Sequence, residues 1–416
     1  MIRALCVWSC LTLWLYGQES FDPAIRSLRV VGQGMRGLPV VVDGFGVRIE
    51  FDGTTSQPVD YRIRVRHLDA SGRETENVFV NEPMRLTTLT PIPYQEAPVG
   101  VRTWRWHYAT VIPGPKGLEQ LPHAGYYRGW IEEAETGRAV ATFDFVRADR
   151  DVTHLMRVRQ RRLPSAIAPF HQAIAVSLAI PLDSAWWGGG PVQSMMIRSV
   201  DVVKNREWLR RTRVKVYDDD PNTWVEGSGT GLLTFVCGGI LPGNEYRQID
   251  LRSLEDHPKG DTLRSRSGAD VSRFFFPGRP DHNGLPAYSH ATGGEDEELT
   301  EFQFVWSGDD EHPPEITVVG EFSGWTVRPE WTMTYDRGTR RHLLRKPLRR
   351  GRYDYQYVFD RTDWVRLEGN DWSTKNIYTA FVVFQEQREG GYDRIVGVAQ
   401  LESTGAVAGE RTRDNH

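Results

Sequence analysis

Hydrophobic and polar positions alternate along most of this chain with a period of two. Val47, Ile49 and Phe51 alternate with Arg48 and Glu50; Tyr61, Ile63 and Val65 with Arg62, Arg64 and Arg66; Trp104, Trp106 and Tyr108 with Arg105 and His107. The pattern returns in Ile174, Val176, Leu178 and Ile180, in Phe302, Phe304 and Trp306, and in Tyr353, Tyr355, Tyr357 and Phe359. Successive side chains of an extended backbone point to opposite faces, so each stretch predicts a strand with one dry and one wet face. Clusters of Gly, Pro, Asn and Asp between them supply turns. No dozen residues sustain the apolar i, i+3, i+4 spacing of a helix, and 40 glycines with 24 prolines would break most candidates. Short strands in regular succession favour sandwiches over parallel α/β folds.

At 416 residues the chain exceeds what one core holds, roughly 250 to 300 residues. Two polar stretches, 147–162 and 290–301, divide it. The expectation is an all-β fold of three consecutive β-sandwich domains, immunoglobulin-like or early-set-like, over residues 21–150, 151–298 and 299–401, with a mobile tail over 402–416. The middle unit carries a long polar, Gly/Pro-rich segment, 256–298, around the apolar triplet Phe274, Phe275 and Phe276. A segment of that length without periodicity is usually functional or disordered.

The N-terminus reads Met1-Ile2-Arg3, an apolar run over 4–17, then Gln18-Glu19-Ser20, the layout of a secretory signal peptide over residues 1–20. Export removes Cys6 and Cys10 and leaves Cys237 alone, so an internal disulfide is not expected. Cys237 lies in an apolar strand-like run, where a buried inert thiol is the expectation. A formal net charge of -4 with mixed signs argues against a nucleic-acid partner. No second apolar run is long enough to span a membrane as a helix, so direct insertion is not expected.

Chemical motifs are missing. The acidic run Asp218-Asp219-Asp220 is followed by Pro221-Asn222 and reads as a turn. The glycine-rich 226–235 stretch has no Lys-Ser/Thr and leads into a strand, so it reads as a hairpin. The eleven histidines are dispersed without zinc-ligand spacing, and no Gly-x-Ser-x-Gly elbow occurs. No catalytic residue, metal or cofactor is expected, and a binding or assembly role is favoured over an enzymatic one.

One stretch carries a stronger signal. Gly320-Glu321-Phe322-Ser323-Gly324-Trp325 is followed by Met333, by Gly351 with Tyr353, Tyr355 and Tyr357, by Glu368-Gly369-Asn370 with Asn376 and Tyr378, and by Asp393-Arg394 with Gly397. Upstream stands Gly243-Asn244-Glu245-Tyr246-Arg247. This order resembles the plug protein family of the type IX secretion system, over roughly residues 25 to 400. The N-terminal strands match less closely: Leu68 stands where the family more often has Cys. The resemblance implies a non-enzymatic periplasmic protein, a monomer within a larger complex, that binds the inner mouth of the outer-membrane translocon barrel and closes it when no cargo is loaded. It also implies structural roles for Gly320, Phe322, Trp325, Tyr353, Tyr355, Tyr357, Gly369, Asn370, Tyr378 and Gly397.

The Gly-acid-Phe-polar-Gly-Trp turn is also similar to sugar-binding sandwiches of the glycogen-binding type. The alternative is therefore an exported carbohydrate-binding accessory protein, which needs an exposed platform such as Trp325, Trp331 and Trp364 together. Cargo of the same secretion route is the least favoured reading. For the partner contact, the expected anchors are Trp186 and Trp187, adjacent aromatics that a simple strand could not bury together, with Phe274, Phe275 and Phe276 as second candidates.

Overall fold

The alternating stretches build six sheets, antiparallel apart from two short parallel pairings, and the sheets pack face to face as three sandwiches. The computed structural model describes residues 18–82, 86–88, 90–114, 118, 121–152, 154–164, 171–182, 196–217, 219–227, 229–253, 255–257, 262–264, 268–285, 287–288, 299–308 and 314–403. The fold is all-β, and none of its helices is long and apolar enough to cross a membrane among the described residues.

In the first sandwich, one sheet runs Glu19–Ser20, Ala139–Arg147, Gly125–Glu133, Tyr61–Leu68 and faces another running Ile25–Gly32, Val47–Gly53, Trp106–Ile112, Tyr94–Glu96. The alternating residues of both meet inside: Ile49, Phe51, Tyr61, Ile63, Tyr108, Phe143 and Phe145 share one core. Pairing of Glu19 and Ser20 with Thr142 and Ala141 places the last residues of the expected signal peptide in this sheet. Gln18 also accepts a bond from Val30 N through its side chain (3.1 Å). The folded domain therefore begins at least by Gln18, and the boundary at residue 20 is corrected accordingly.

The middle sandwich corrects the expected boundaries more deeply. One sheet runs Leu155–Arg162, Gln172–Pro181, Leu232–Ile240, Thr223–Glu226, all from the expected span. The other runs Thr212–Lys215, Ile197–Lys204, Ile377–Glu386, Tyr392–Glu402. Its last two strands form a hairpin that the sequence assigned to the third unit. Tyr378, Val382 and Val396 fill the same core as Val176, Val200 and Phe235.

The third sandwich is thus an insertion in the second, running from Arg247–Asp250 to the Val365–Glu368 region. One of its sheets centres on Gly351–Phe359, with Arg247–Asp250, Ala287–Tyr288 and Ile316–Gly320 beside it. The other runs Leu263–Arg264, Leu299–Ser307, Arg341–Arg349, Thr334–Asp336. The edge expected near residue 298 falls inside this domain. Glu402, placed by sequence in a mobile tail, is in a strand, and Ser403 N bonds Asn376 O (2.7 Å), so neither belongs to a tail.

Each sandwich touches both others through buried polar contacts. Tyr126 of the first donates to Asp201 of the second (2.7 Å), whose carboxylate is ion-paired with Arg213. Around them Leu38, Val40, Tyr126 and Val146 share an apolar seam with Trp208, Phe381, Val383 and Ile395. Asp52 of the first, fully buried, receives Arg349 of the third (2.9 Å) and His107 (2.8 Å). Tyr246, at the entrance to the third, donates to Glu207 of the second (2.7 Å).

Local expectations fare variously. Thr223–Glu226 and Leu232–Ile240 pair antiparallel as the expected hairpin, and Thr230 N bonds Gly227 O (3.0 Å) between them. Cys237 is buried, and burial pushes its thiol up to about 11, leaving no thiolate at neutral pH.

Candidate partner-binding site

Residues 270 to 284 form a tongue that leaves the third sandwich and returns to it, and part of its anchoring comes from the sequence motifs. Tyrosines at alternate positions of Gly351–Phe359 point into one core, and two of their hydroxyls reach a single carboxylate. Tyr355 (2.7 Å) and Tyr357 (2.8 Å) both donate to Asp270 Oδ2, while Oδ1 of the same carboxylate pairs with Arg247 (3.1 Å). The third, Tyr353, donates to Arg349 O (2.5 Å).

The next anchor is Glu368. Its buried carboxylate accepts Arg247 Nε (2.9 Å), Arg273 Nε (3.0 Å) and the backbone N–H of Tyr357 (2.9 Å). Burial alone would raise its pKa, but the guanidiniums of Arg247 and Arg273 outweigh burial and hold it below the usual range. Arg273 also donates to Glu245 O (2.8 Å), and its own N–H bonds Leu367 O (2.8 Å). Gly369 has φ of +93°, and a Cβ there would lie 3.0 Å from both Arg273 O and Phe274 O. A side chain would push the tongue off the hub.

Asn244 and Asn370 complete the hub. Asn244 donates to Phe276 O (2.8 Å) and Glu368 O (2.7 Å) and accepts Gly278 N (2.7 Å). Asn370 accepts Gly243 N (2.8 Å) and donates to Gln172 O of the middle sandwich (2.8 Å). With its backbone held, the tongue shows its aromatics: Phe275 is 79% and Phe276 68% exposed. Phe274 packs edge-on against Phe275 (4.8 Å between ring centres), and the triplet borders a small cavity of about 190 Å³ with Gln172, Asn244 and Asn370.

The far end of the tongue is tied by three carboxylates. Asp354 accepts the N–H groups of His282 (3.0 Å) and Gly284 (2.9 Å), and Glu245 accepts Asp281 N (3.1 Å). Asp281 itself accepts Asn283 N (2.6 Å) and Tyr246 N. Burial, with Asp354 and Glu245 adding their charge, pushes the Asp281 carboxyl up to about 8. Its folded pKa lies above the unfolded one, so the native state holds a proton that the unfolded chain releases above about pH 4, and this contribution weakens as pH rises. His67 works in the opposite direction: burial pushes it down to about 4, so its contribution grows with pH up to its unfolded value near 6.5. Above that value Asp281 is unopposed by His67. Stability should therefore fall between pH 6.5 and 8.5, by at most about 1.4 kcal/mol per pH unit. Asp281→Asn should flatten that slope in urea titrations at pH 6.5, 7.5 and 8.5; equal slopes in both proteins would exclude this origin.

The remaining motif residues have packing or turn positions. Gly320 ends the strand Ile316–Gly320, and Phe322 stacks on Trp331 (4.4 Å). Trp325 is 2% exposed, lies over Tyr246 (4.3 Å) and is covered by Gly284, whose Cβ would sit 2.7 Å from its ring. Tyr378 and Gly397 belong to the middle sandwich, not the third; Gly397 pairs with Val382 beside Val152. Trp331 (9% exposed) and Trp364 (8%) are buried like Trp325, and Arg210 covers Trp364 at 4.3 Å, so the three tryptophans present no common platform. Trp186 and Trp187 lie outside the described residues.

Sequence reading missed Glu368, Asn244, Asp270 and Arg273 as the tongue's anchors. Glu368 and Asn244 stand inside the motif stretches and were available as candidates; Asp270 and Arg273 carry no local signal. No group of three or more His, Cys, Asp or Glu among the described residues is placed to hold a metal.

No protein-family model and no curated protein matches this sequence. Among solved structures, the chain is similar to a hypothetical protein from Parabacteroides merdae ATCC 43184, with a TM-score of 0.74 and 17% identity, over 93% of this chain and 99% of that one. At that identity the likeness shows a shared fold.

Proposed function

We propose that this chain is a non-enzymatic periplasmic plug, which binds the periplasmic mouth of the type IX secretion translocon barrel in the outer membrane and closes it when no cargo is present. The observation that carries the reading is the pair Phe275 and Phe276, large apolar side chains held in water by a backbone clamped through Glu368, Asn244 and Gly369. Exposed aromatics on a pre-ordered backbone make interface anchors at low entropic cost. Buried polar contacts between the sandwiches suit a stopper, which has to keep its shape against a large opening. The leader-like N-terminus and the order of the motif stretches support the compartment and the partner. The carbohydrate-binding alternative loses its expected platform, since Trp325, Trp331 and Trp364 are buried.

The test is affinity capture of tagged protein from the envelope of its own organism. The wild-type chain should bring down a very large barrel subunit, and Phe275→Ser/Phe276→Ser should lose it while melting normally, because exposed substitutions usually change stability by about 0.5 kcal/mol or less. A parallel Trp186→Ser/Trp187→Ser variant reports on the other expected anchor. Capture without any barrel subunit by the wild type would sink the plug reading. Capture unchanged in the phenylalanine variant would remove the tongue from it.

A further inference from the structure

We propose that a cleft on the outer face of the third sandwich is a binding site for a multiply charged oxyanion, a ligand carrying two phosphate groups. The cleft encloses about 1150 Å³. Its floor is formed by two paired strands, where Gln248 and Asp250 stand on one and Arg352, opposite Asp250, on the other. Its walls are Leu251, Arg252, Ser253, Asp256 and His257 on one side and the end of the tongue, around Arg279 and His282, on the other.

Both walls are fixed from behind by buried charges. Arg350, 1% exposed, donates to Leu251 O (3.1 Å) and His257 O (2.8 Å) and so holds the first. Asp354 holds the second through His282 N and Gly284 N. Arg350 and Asp354 are engaged behind the cleft, whereas most of the arginines that line it have no ion-pair partner among the described residues. Arg252 pairs with Asp250 (2.5 Å) at the rim. Arg264, Arg279 and Arg352 form no ion pair among the described residues, and the Nε of Arg352 is buried without a hydrogen-bond partner. Four guanidiniums thus face one concavity against the carboxylates of Asp250 and Asp256.

Like charges gathered in a concave, partly desolvated surface repel one another unless an anion sits between them. The guanidinium fork matches the oxygens of phosphate two at a time, and charge-assisted bonds of this kind are the strong ones. The size of the cleft leaves room for more than one such group and for the molecule that carries them. Neutral sugar is a poor fit, because the lining has no Trp or Tyr and its Phe302 is buried in the core. The same chemistry is offered by a free diphosphate and by a phosphorylated lipid headgroup.

Isothermal titration calorimetry of the full mature chain with pyrophosphate, at constant ionic strength, tests the site. One molecule should bind per chain, and Arg264→Gln/Arg279→Gln should weaken binding at least tenfold with an unchanged melting temperature. Arg157→Gln/Arg159→Gln, which removes the same charge from the strand Leu155–Arg162, should leave binding as in the wild type. A second arm floats the protein with vesicles of phosphatidylcholine containing cardiolipin, whose headgroup carries two phosphates. Flotation that pyrophosphate competes away, and that the cleft variant lacks, assigns the site to a lipid headgroup; pyrophosphate binding without flotation assigns it to a free ligand. Absence of pyrophosphate binding, or equal weakening in both double variants, overturns the proposal. The outcome is independent of the plug reading, since neither double variant touches the tongue's aromatics.

Discussion

Glu368→Ala is expected to destabilise the protein by roughly 3 to 5 kcal/mol, the usual cost of leaving a buried charge without its partner. Two guanidiniums depend on this carboxylate. Arg247 would keep Asp270, but Arg273 would keep only backbone acceptors. The N–H of Tyr357, buried in the middle of a strand, would lose its acceptor as well. Against a typical total of about 5 to 15 kcal/mol this is a large fraction. The loss should also be visible locally, because Glu368 clamps the tongue: limited proteolysis should cut between residues 271 and 277 faster in the variant under native conditions. Glu368→Gln keeps an acceptor for Tyr357 and should fall between the two. A denaturation midpoint for Glu368→Ala equal to that of the wild type would show that the two arginines find other partners and that the hub is not what holds the tongue.

Strand positions were legible because one-sided burial writes itself as alternation. Val47 to Phe51 and Tyr61 to Val65 face a core on one side and water or a rim on the other, and their sequences say so. Domain membership was not legible in the same way. Ile377–Glu386 is buried on nearly every residue: Tyr378, Ala380, Val382 and Phe384 point into the middle core, while Phe381 and Val383 point into the seam with the first sandwich. A strand covered on both faces loses its alternation, here in the apolar run Ala380 to Phe384, and such a run does not tell which sheet it joins. Chain order then suggested the third sandwich, and pairing with Ile197–Lys204 overrules it. The aromatic triplet was legible as apolar residues in a polar segment. Its clamp was not, since Arg273 and Glu368 stand 95 residues apart and only the fold brings them together. The paired exposure of Phe275 and Phe276 likewise depends on a turn, Phe276 N to Arg273 O (2.9 Å), that no local pattern announces.

Trp325→Ala is expected to cost roughly 3 to 5 kcal/mol, as truncation of a large buried ring does. The residue joins three parts of the structure. Its backbone, at φ of +55°, closes the turn after Gly320 through Trp325 N to Gly320 O (2.8 Å). One part of its ring meets Tyr246, whose hydroxyl is bonded to Glu207 of the middle sandwich. Another meets Gly284 at the end of the tongue, where a methyl group would already collide with it. Alanine would open a cavity between the tongue, the turn and the junction with the middle sandwich, so the tongue's far anchor should loosen together with global stability. Trp325→Phe should be milder, because it keeps most of the ring and deletes an indole N–H that is buried without a partner. Melting temperature and retention on immobilised glucan, measured on the same samples, separate this account from the sugar-binding one. A lowered melting temperature with no wild-type retention to lose fits a ring that is part of the junction. An unchanged melting temperature with lost retention would mean that the ring leaves its cover to meet a ligand, and the carbohydrate-binding reading would take precedence.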